Sequence, residues 1–180
     1  MNSGLLFLNK QDFNLSQGKN GMILTNNIPG ISLLLFYSPR CPNSNAFLPI
    51  FKKLPTKING CSFAIVNLTK NRELIGMSQK SISPIDYVPF IIMYVNGRPF
   101  MIYNGPHREE DVTDFVIEIA NKLPSSSKER FTNNQNEEQS SGKVEEQSKI
   151  GKIPEYSLGL PLYGKNNVTY LREENAYQSA

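Results

Sequence analysis

Hydrophobic and polar positions divide this chain into a patterned stretch that ends near Leu123 and a mostly polar one beyond it. In the first, ISLLLFYS (31–38) and CSFAIVNL (61–68) are nearly continuous apolar runs, the signature of strands covered on both faces. LLFLN (5–9) predicts a first strand, and MILTN (22–26) either a second short strand or an arm of an inserted hairpin. SNAFLPIFKKL (44–54) sets Phe47, Ile50, Phe51 and Leu54 at helical spacing, and NRELIGMSQ (71–79) reads as a short helix. PFIIMYVNGRPFMIYNG (89–105) is two strands around Asn96-Gly97, a pair that accepts the left-handed backbone of a tight hairpin. REEDVTDFVIEIANKL (108–123) has acidic residues in its first turn, Val112, Phe115, Val116 and Ile119 on one face, and a lysine near its end. That charge order suits a helix dipole. The order β, β, α, β, α, β-hairpin, α predicts an α/β fold, a mixed sheet with helices on both faces.

The pattern breaks at Pro124. Residues 124–152 are rich in Ser, Gln, Glu and Asn and almost free of aliphatic side chains, so burial cannot offset the entropy of ordering them. They predict a flexible polar linker between a domain at 1–123 and a tail at 153–180. The tail carries Tyr156, Tyr163, Tyr170 and Tyr177 seven residues apart, with Leu158, Leu160, Leu162 and Leu171 among them. Pro154, Gly159, Pro161 and Gly164 exclude a continuous helix through its first half. Tyrosines kept beyond a solvated linker predict a docking segment for a larger assembly.

Charge and composition narrow the partners. The net charge is +3, from 19 basic and 16 acidic side chains mixed along the chain, which gives nucleic-acid or membrane-surface binding little electrostatic support. The longest apolar run, ISLLLFY, falls far short of the ~20 residues a spanning helix needs. MNSGLLFLNKQDF has neither the basic start nor the apolar length of an export signal. Two cysteines are no disulfide framework, so the expectation is a reducing, cytoplasmic setting. With 20 Asn, the composition fits an AT-rich genome and is compatible with a viral particle component. No Cys, His and carboxylate cluster at metal spacing and no Gly-rich phosphate loop occurs, so no cofactor is expected.

Four pieces of the sequence, in order across residues 5–123, resemble the thioredoxin fold and, within it, a domain of the protein disulfide isomerase type. FYSPRCPNS is similar to that family's segment ending in Cys-x-x-Cys, with Cys41 on the first cysteine. Pro49 falls where the family kinks its active-site helix, and Val88-Pro89 at its cis-proline. NGRPFMIYNGP is close to its last hairpin and the lead into the final helix. The departures from the pattern form a set. The second cysteine is Ser44, the family's buried acid is Leu35, its partner lysine aligns with Ile65, and the Trp before the first cysteine is Arg40. The resemblance assigns the acid and the lysine to the proton of the second thiol, so all three are lost together.

What remains is a single thiol at the predicted tip of a helix. Unsatisfied N–H groups and the dipole favour thiolate there; Arg40 adds positive charge, and Ser44 is expected to donate a hydrogen bond to the sulfur. Cysteines so placed commonly titrate between ~3.5 and ~7.5, and Cys41 is expected to be an activated nucleophile beside Pro89. Cys61 opens a strand parallel to 31–38, whereas Cys41 lies past that strand's far end. Six residues at ~3.3 Å put them on the order of 20 Å apart, and a disulfide needs Cα atoms within ~7 Å. Cys61 reads as a small buried hydrophobe.

Two functions stay open. One is a non-enzymatic interaction module, its partner a protein held through Val88, Pro89 and the tail. The other is a monothiol exchange or client-retention protein that forms mixed disulfides with a thiol client through Cys41. Pro89 serves either, by leaving the Val88 backbone able to pair with an extended peptide, or else only makes a turn. His107, the one histidine, follows Gly105-Pro106 and reads as a surface-loop residue.

Overall fold

The computed structural model describes residues 4–123, together with the backbone of residues 155–157 and 160–161. In chain order the elements are β1 (Leu5–Leu8), β2 (Phe13–Gly18), β3 (Gly21–Asn26), β4 (Ile31–Tyr37), α1 (Pro42–Lys57) and β5 (Cys61–Asn67). There follow α2 (Glu73–Gln79), β6 (Phe90–Val95), β7 (Arg98–Tyr103), α3 (Glu109–Lys122), β8 (Glu155–Ser157) and β9 (Leu160–Pro161). The main sheet runs β1-β5-β4-β6-β7-β8-β9, with β4 parallel to β5 and antiparallel to β6. This is the mixed sheet that the apolar runs predict.

Alternation along β4 distributes its side chains between two cores. Ile31, Leu33 and Leu35 join Phe47, Phe51 and Leu54 of α1 and Val112, Phe115, Val116 and Ile119 of α3. Leu34 and Phe36 point the other way, toward Leu74 of α2 and Phe13 and Leu24 of the β2–β3 hairpin. A strand apolar on both faces is what such a two-sided burial demands. Helices therefore cover both faces, α1 and α3 on one and α2 on the other.

The structure resolves the alternative left open for MILTN: it is the second arm of a hairpin paired with β2 from Phe13↔Asn26 to Gly18↔Gly21. Phe13–Gly18 is a strand that the sequence reading lacked. FNLSQG is mostly polar and includes Asn and Gly, both poor strand formers; pairing with β3 and the packing of Phe13 on Phe36, 5.7 Å between ring centres, commit it. Helix α1 is longer than SNAFLPIFKKL at both ends. Pro42 occupies a first-turn position where its missing N–H costs nothing, and the helix runs on through Pro49 and Pro55.

Asn96 (φ 49°) and Gly97 (φ 74°) form the expected left-handed turn between β6 and β7. Its far side is closed by the hairpin, since Asn26 N–H donates to the Gly97 carbonyl at 2.9 Å. Beyond α3, backbone of the tail adds to the outer edge of β7 in parallel, with Tyr156 opposite Tyr103, and β9 turns back on it with Leu160 opposite Ser157. The predicted linker and Tyr163, Tyr170 and Tyr177 lie outside the described residues. Among the described residues, no helix is long and apolar enough to cross a membrane and no group of His, Cys, Asp and Glu could hold a metal ion.

Candidate functional site

Strand β4 ends at Tyr37, and the chain turns through Ser38-Pro39-Arg40 into α1. Cys41 N–H donates to the Ser38 carbonyl at 3.0 Å, closing that turn with proline at its second position. Three more bonds hold the loop: Asn45 Nδ2 to the Pro39 carbonyl (2.8 Å), Arg40 N–H to Ser38 Oγ (3.3 Å), and Ser38 Oγ with Thr69 Oγ1 (3.1 Å). Cys41 is the N-cap of α1, its carbonyl accepting from Asn45 N–H at 3.1 Å. The thiol is thus placed at a helix N-terminus on a loop fastened to the neighbouring strand's exit.

Opposite it stands Val88-Pro89, joined by a cis peptide bond. The Cys41 thiol, half-buried, donates to the Val88 carbonyl across 3.4 Å. Residues 47 positions apart thus meet, because β6 begins beside the end of β4, with Phe90 opposite Phe36. Among the described residues nothing accepts from the Val88 N–H. An extended peptide laid along this edge would find a free donor next to the sulfur.

Ser44 does not take the role expected for it. Its side chain is fully buried, and its hydroxyl accepts from Ser38 N–H at 3.5 Å. No hydrogen bond joins it to the sulfur among the described residues. Position 44 faces inward in the first turn of α1, so the hydroxyl caps the strand-to-helix loop from below. Arg40 is exposed beside the thiol.

Beneath this turn the core is apolar. Leu35 and Ile65 are register partners on β4 and β5, and both lie in the cluster under α1. Cys61 sits at the other end of the same strand pair, opposite Ile31, where burial pushes its thiol up to about 12. Both cysteines are free. His107 is an exposed loop residue, as its position predicts, but its ring also packs 5.2 Å from that of Phe47. Desolvation lowers its pKa from the ordinary 6.5.

Around Arg40 and Val88 the structure adds Leu68, Arg72, Ile75 and Gly76, which no reading of the sequence picked out. A cleft of about 430 Å³ lies between the Cys41 loop, the exit of β5 and α2. Its lining includes Arg40 and Arg72, with Leu68, Ile75 and Val88. Gly76, at the centre of a seven-residue helix, also faces it. That glycine was the available signal, since a helix interior gives no backbone reason for one.

A central β-strand leading to a cysteine-capped helix, a cis-proline across from it, and α1 and α3 packed on the same sheet face define a thioredoxin-fold domain. The thioredoxin family model matches residues 22–118, more than half of the chain, and the chain belongs to that family. It is 34% identical over 182 residues to uncharacterized protein 196R of Invertebrate iridescent virus 6, covering 97% of this chain and 94% of that protein. It is 30% identical to uncharacterized protein 020R of Invertebrate iridescent virus 3, covering 98% of each. Similarity to both viral proteins therefore extends beyond the described domain into residues 124–180. Among solved structures, a mutant thioredoxin from Halobacterium salinarum matches at 15% identity and a TM-score of 0.49, over 68% of this chain and 96% of that one.

Proposed function

We propose that this chain is a thioredoxin-like interaction module that holds a protein at the Cys41/Val88-Pro89 face and has no dithiol turnover. The observation that carries the reading is the pairing of one thiol with the Val88 carbonyl at 3.4 Å while the position three residues on is a buried serine. A dithiol enzyme releases its client when a second thiolate attacks the mixed disulfide. Here the nearest alternative, Cys61, is in the core at the far end of the sheet. The tail is proposed to anchor the module in a larger assembly. Supporting this, similarity to the iridescent virus proteins extends over nearly the whole chain. A viral particle is the assembly we favour.

The same sulfur supports a second reading, client retention by mixed disulfide. The Cys41 thiolate attacks one sulfur of a client disulfide; that S–S bond breaks as the Cys41–client bond forms, and the departing client sulfur leaves as thiolate and takes up a proton. Release then requires an external thiol. Insulin reduction with dithiothreitol tests both readings, alongside non-reducing gels of wild type and Cys41→Ser incubated with a disulfide-containing client. We expect no turnover above the reductant alone. A Cys41-dependent adduct adds retention to the module's function, its absence leaves binding alone, and catalytic turnover overturns the proposal.

A further inference from the structure

The cleft beside Cys41 carries charge of one sign and lacks a partner for it. Arg40 and Arg72 both line it, and neither forms an ion pair among the described residues; Lys19, Lys52, Lys53, Lys70, Lys80 and Arg98 form none either, so what sets the two arginines apart is that they face one cleft. Its lining contains no acidic side chain. Between the arginines lie apolar groups, among them Ile75, one of the few large hydrophobic residues left exposed. Unpaired guanidinium groups flanking apolar surface match a ligand with carboxylates next to an aliphatic or aromatic side chain.

Gly76 points to the same occupant independently. A Cβ built there meets nothing within 4 Å, so packing against the protein does not require glycine. Its φ is not in the left-handed region either. A glycine inside a helix weakens it relative to alanine. What the missing side chain provides is room on the cleft side, where an incoming chain can approach the α2 backbone.

We propose that this cleft is a binding site for an acidic peptide segment, with client carboxylates on Arg40 and Arg72 and a client apolar side chain over Leu68, Ile75 and Val88. It rests on the reading of the Cys41 face as a client-holding surface and names the class of client: proteins whose exposed segment is rich in Asp or Glu.

The test uses the full chain with Cys41→Ser, so that binding is measured without covalent chemistry. Fluorescence anisotropy is read for a labelled decapeptide of alternating Glu and Leu and for its Gln counterpart. We expect the Glu peptide to bind about tenfold more tightly at low salt, with the preference shrinking by ~0.5 M NaCl. Arg40→Gln with Arg72→Gln should remove the preference, while Arg98→Gln, at the opposite end of the sheet, leaves it intact. Gly76→Leu should weaken both peptides, and Gly76→Ala should raise the melting temperature, so a loss of binding there is not a loss of fold. Equal affinity for the two peptides, no binding by either, or indifference to the arginine pair overturns the assignment. The proposed function is judged separately, by insulin turnover and by capture of a client in the protein that retains Cys41.

Discussion

Leu35 on β4 stands directly opposite Ile65 on β5, and the two are 0% and 3% exposed. They lie under the helix that Cys41 caps, in a layer with Phe47 and Phe51. A carboxylate placed alone here would be buried without a partner. Leu35→Asp should cost about 3–5 kcal/mol in urea unfolding. Adding Ile65→Lys should recover at least ~1 kcal/mol, because the pair is in register and within coupling range. Strictly additive losses would mean that the two side chains do not meet.

Ser44→Cys restores a thiol one helical turn from Cys41, close enough for a disulfide. The variant should oxidise to an intramolecular bond between Cys41 and the introduced thiol, and reduce insulin at about tenfold or more above wild type. Thiol counting with DTNB under native conditions reports the bond, since it removes the reactive thiol. Retention of that thiol after oxidation would show that position 44 is held away from the sulfur.

Cys61 predicts a loss of stability in alkali. Its thiol is raised by burial from 9.0 to about 12, so the unfolded chain ionises there first. Between those values the unfolded state holds fewer protons than the folded one, and stability falls as pH rises; below 9.0 both are neutral and nothing changes. Wild type should lose ~1 kcal/mol per pH unit above about pH 9 relative to Cys61→Ala. Parallel curves for the two proteins would place Cys61 in contact with solvent.

His107 is the one imidazole, so a proton NMR titration reads it without assignment. Its midpoint should lie below 6.5. Because the folded value is the lower one, protonation favours the unfolded chain, and stability declines as pH falls through 6.5. Phe47→Leu removes the ring that lies 5.2 Å away and should move the midpoint back toward 6.5.

Gly97 holds φ at 74°, and a Cβ there would fall 1.9 Å from the Asn26 carbonyl oxygen. Gly97→Ala combines a left-handed backbone with that clash. It should cost about 2 kcal/mol or more in thermal or urea unfolding. A cost under ~0.5 kcal/mol would mean that the β2–β3 hairpin does not pack against this turn.

The strands that were legible are those whose apolar runs need no context. ISLLLFY and CSFAIVN are covered on both faces, and their near-unbroken apolar residues say so without help from a neighbour. FNLSQG was not legible, because its strand state comes from a partner strand and from Phe36 beneath it. The lone thiol and its helix cap could be read from order and spacing, whereas the proline facing it was implied by the resemblance to the thioredoxin family. Ser44 was misread, since a residue three past a helix cap has two directions open to it and the packing of α1 decides between them. In the sequence Arg72 and Gly76 belong only to a short helix, and it is the exit of β5 that brings them beside Arg40.

By itself, then, the order of apolar and polar residues determined the layers, the hairpin at Asn96-Gly97 and the presence of one cysteine before a helix. These are local consequences of burial and backbone preference, expressed within a few residues of their cause. What surrounds the sulfur was decided only when the chain closed on itself. The Val88 carbonyl, the inward serine and the two unpaired arginines are separated along the chain, and strand register and helix packing alone bring them together.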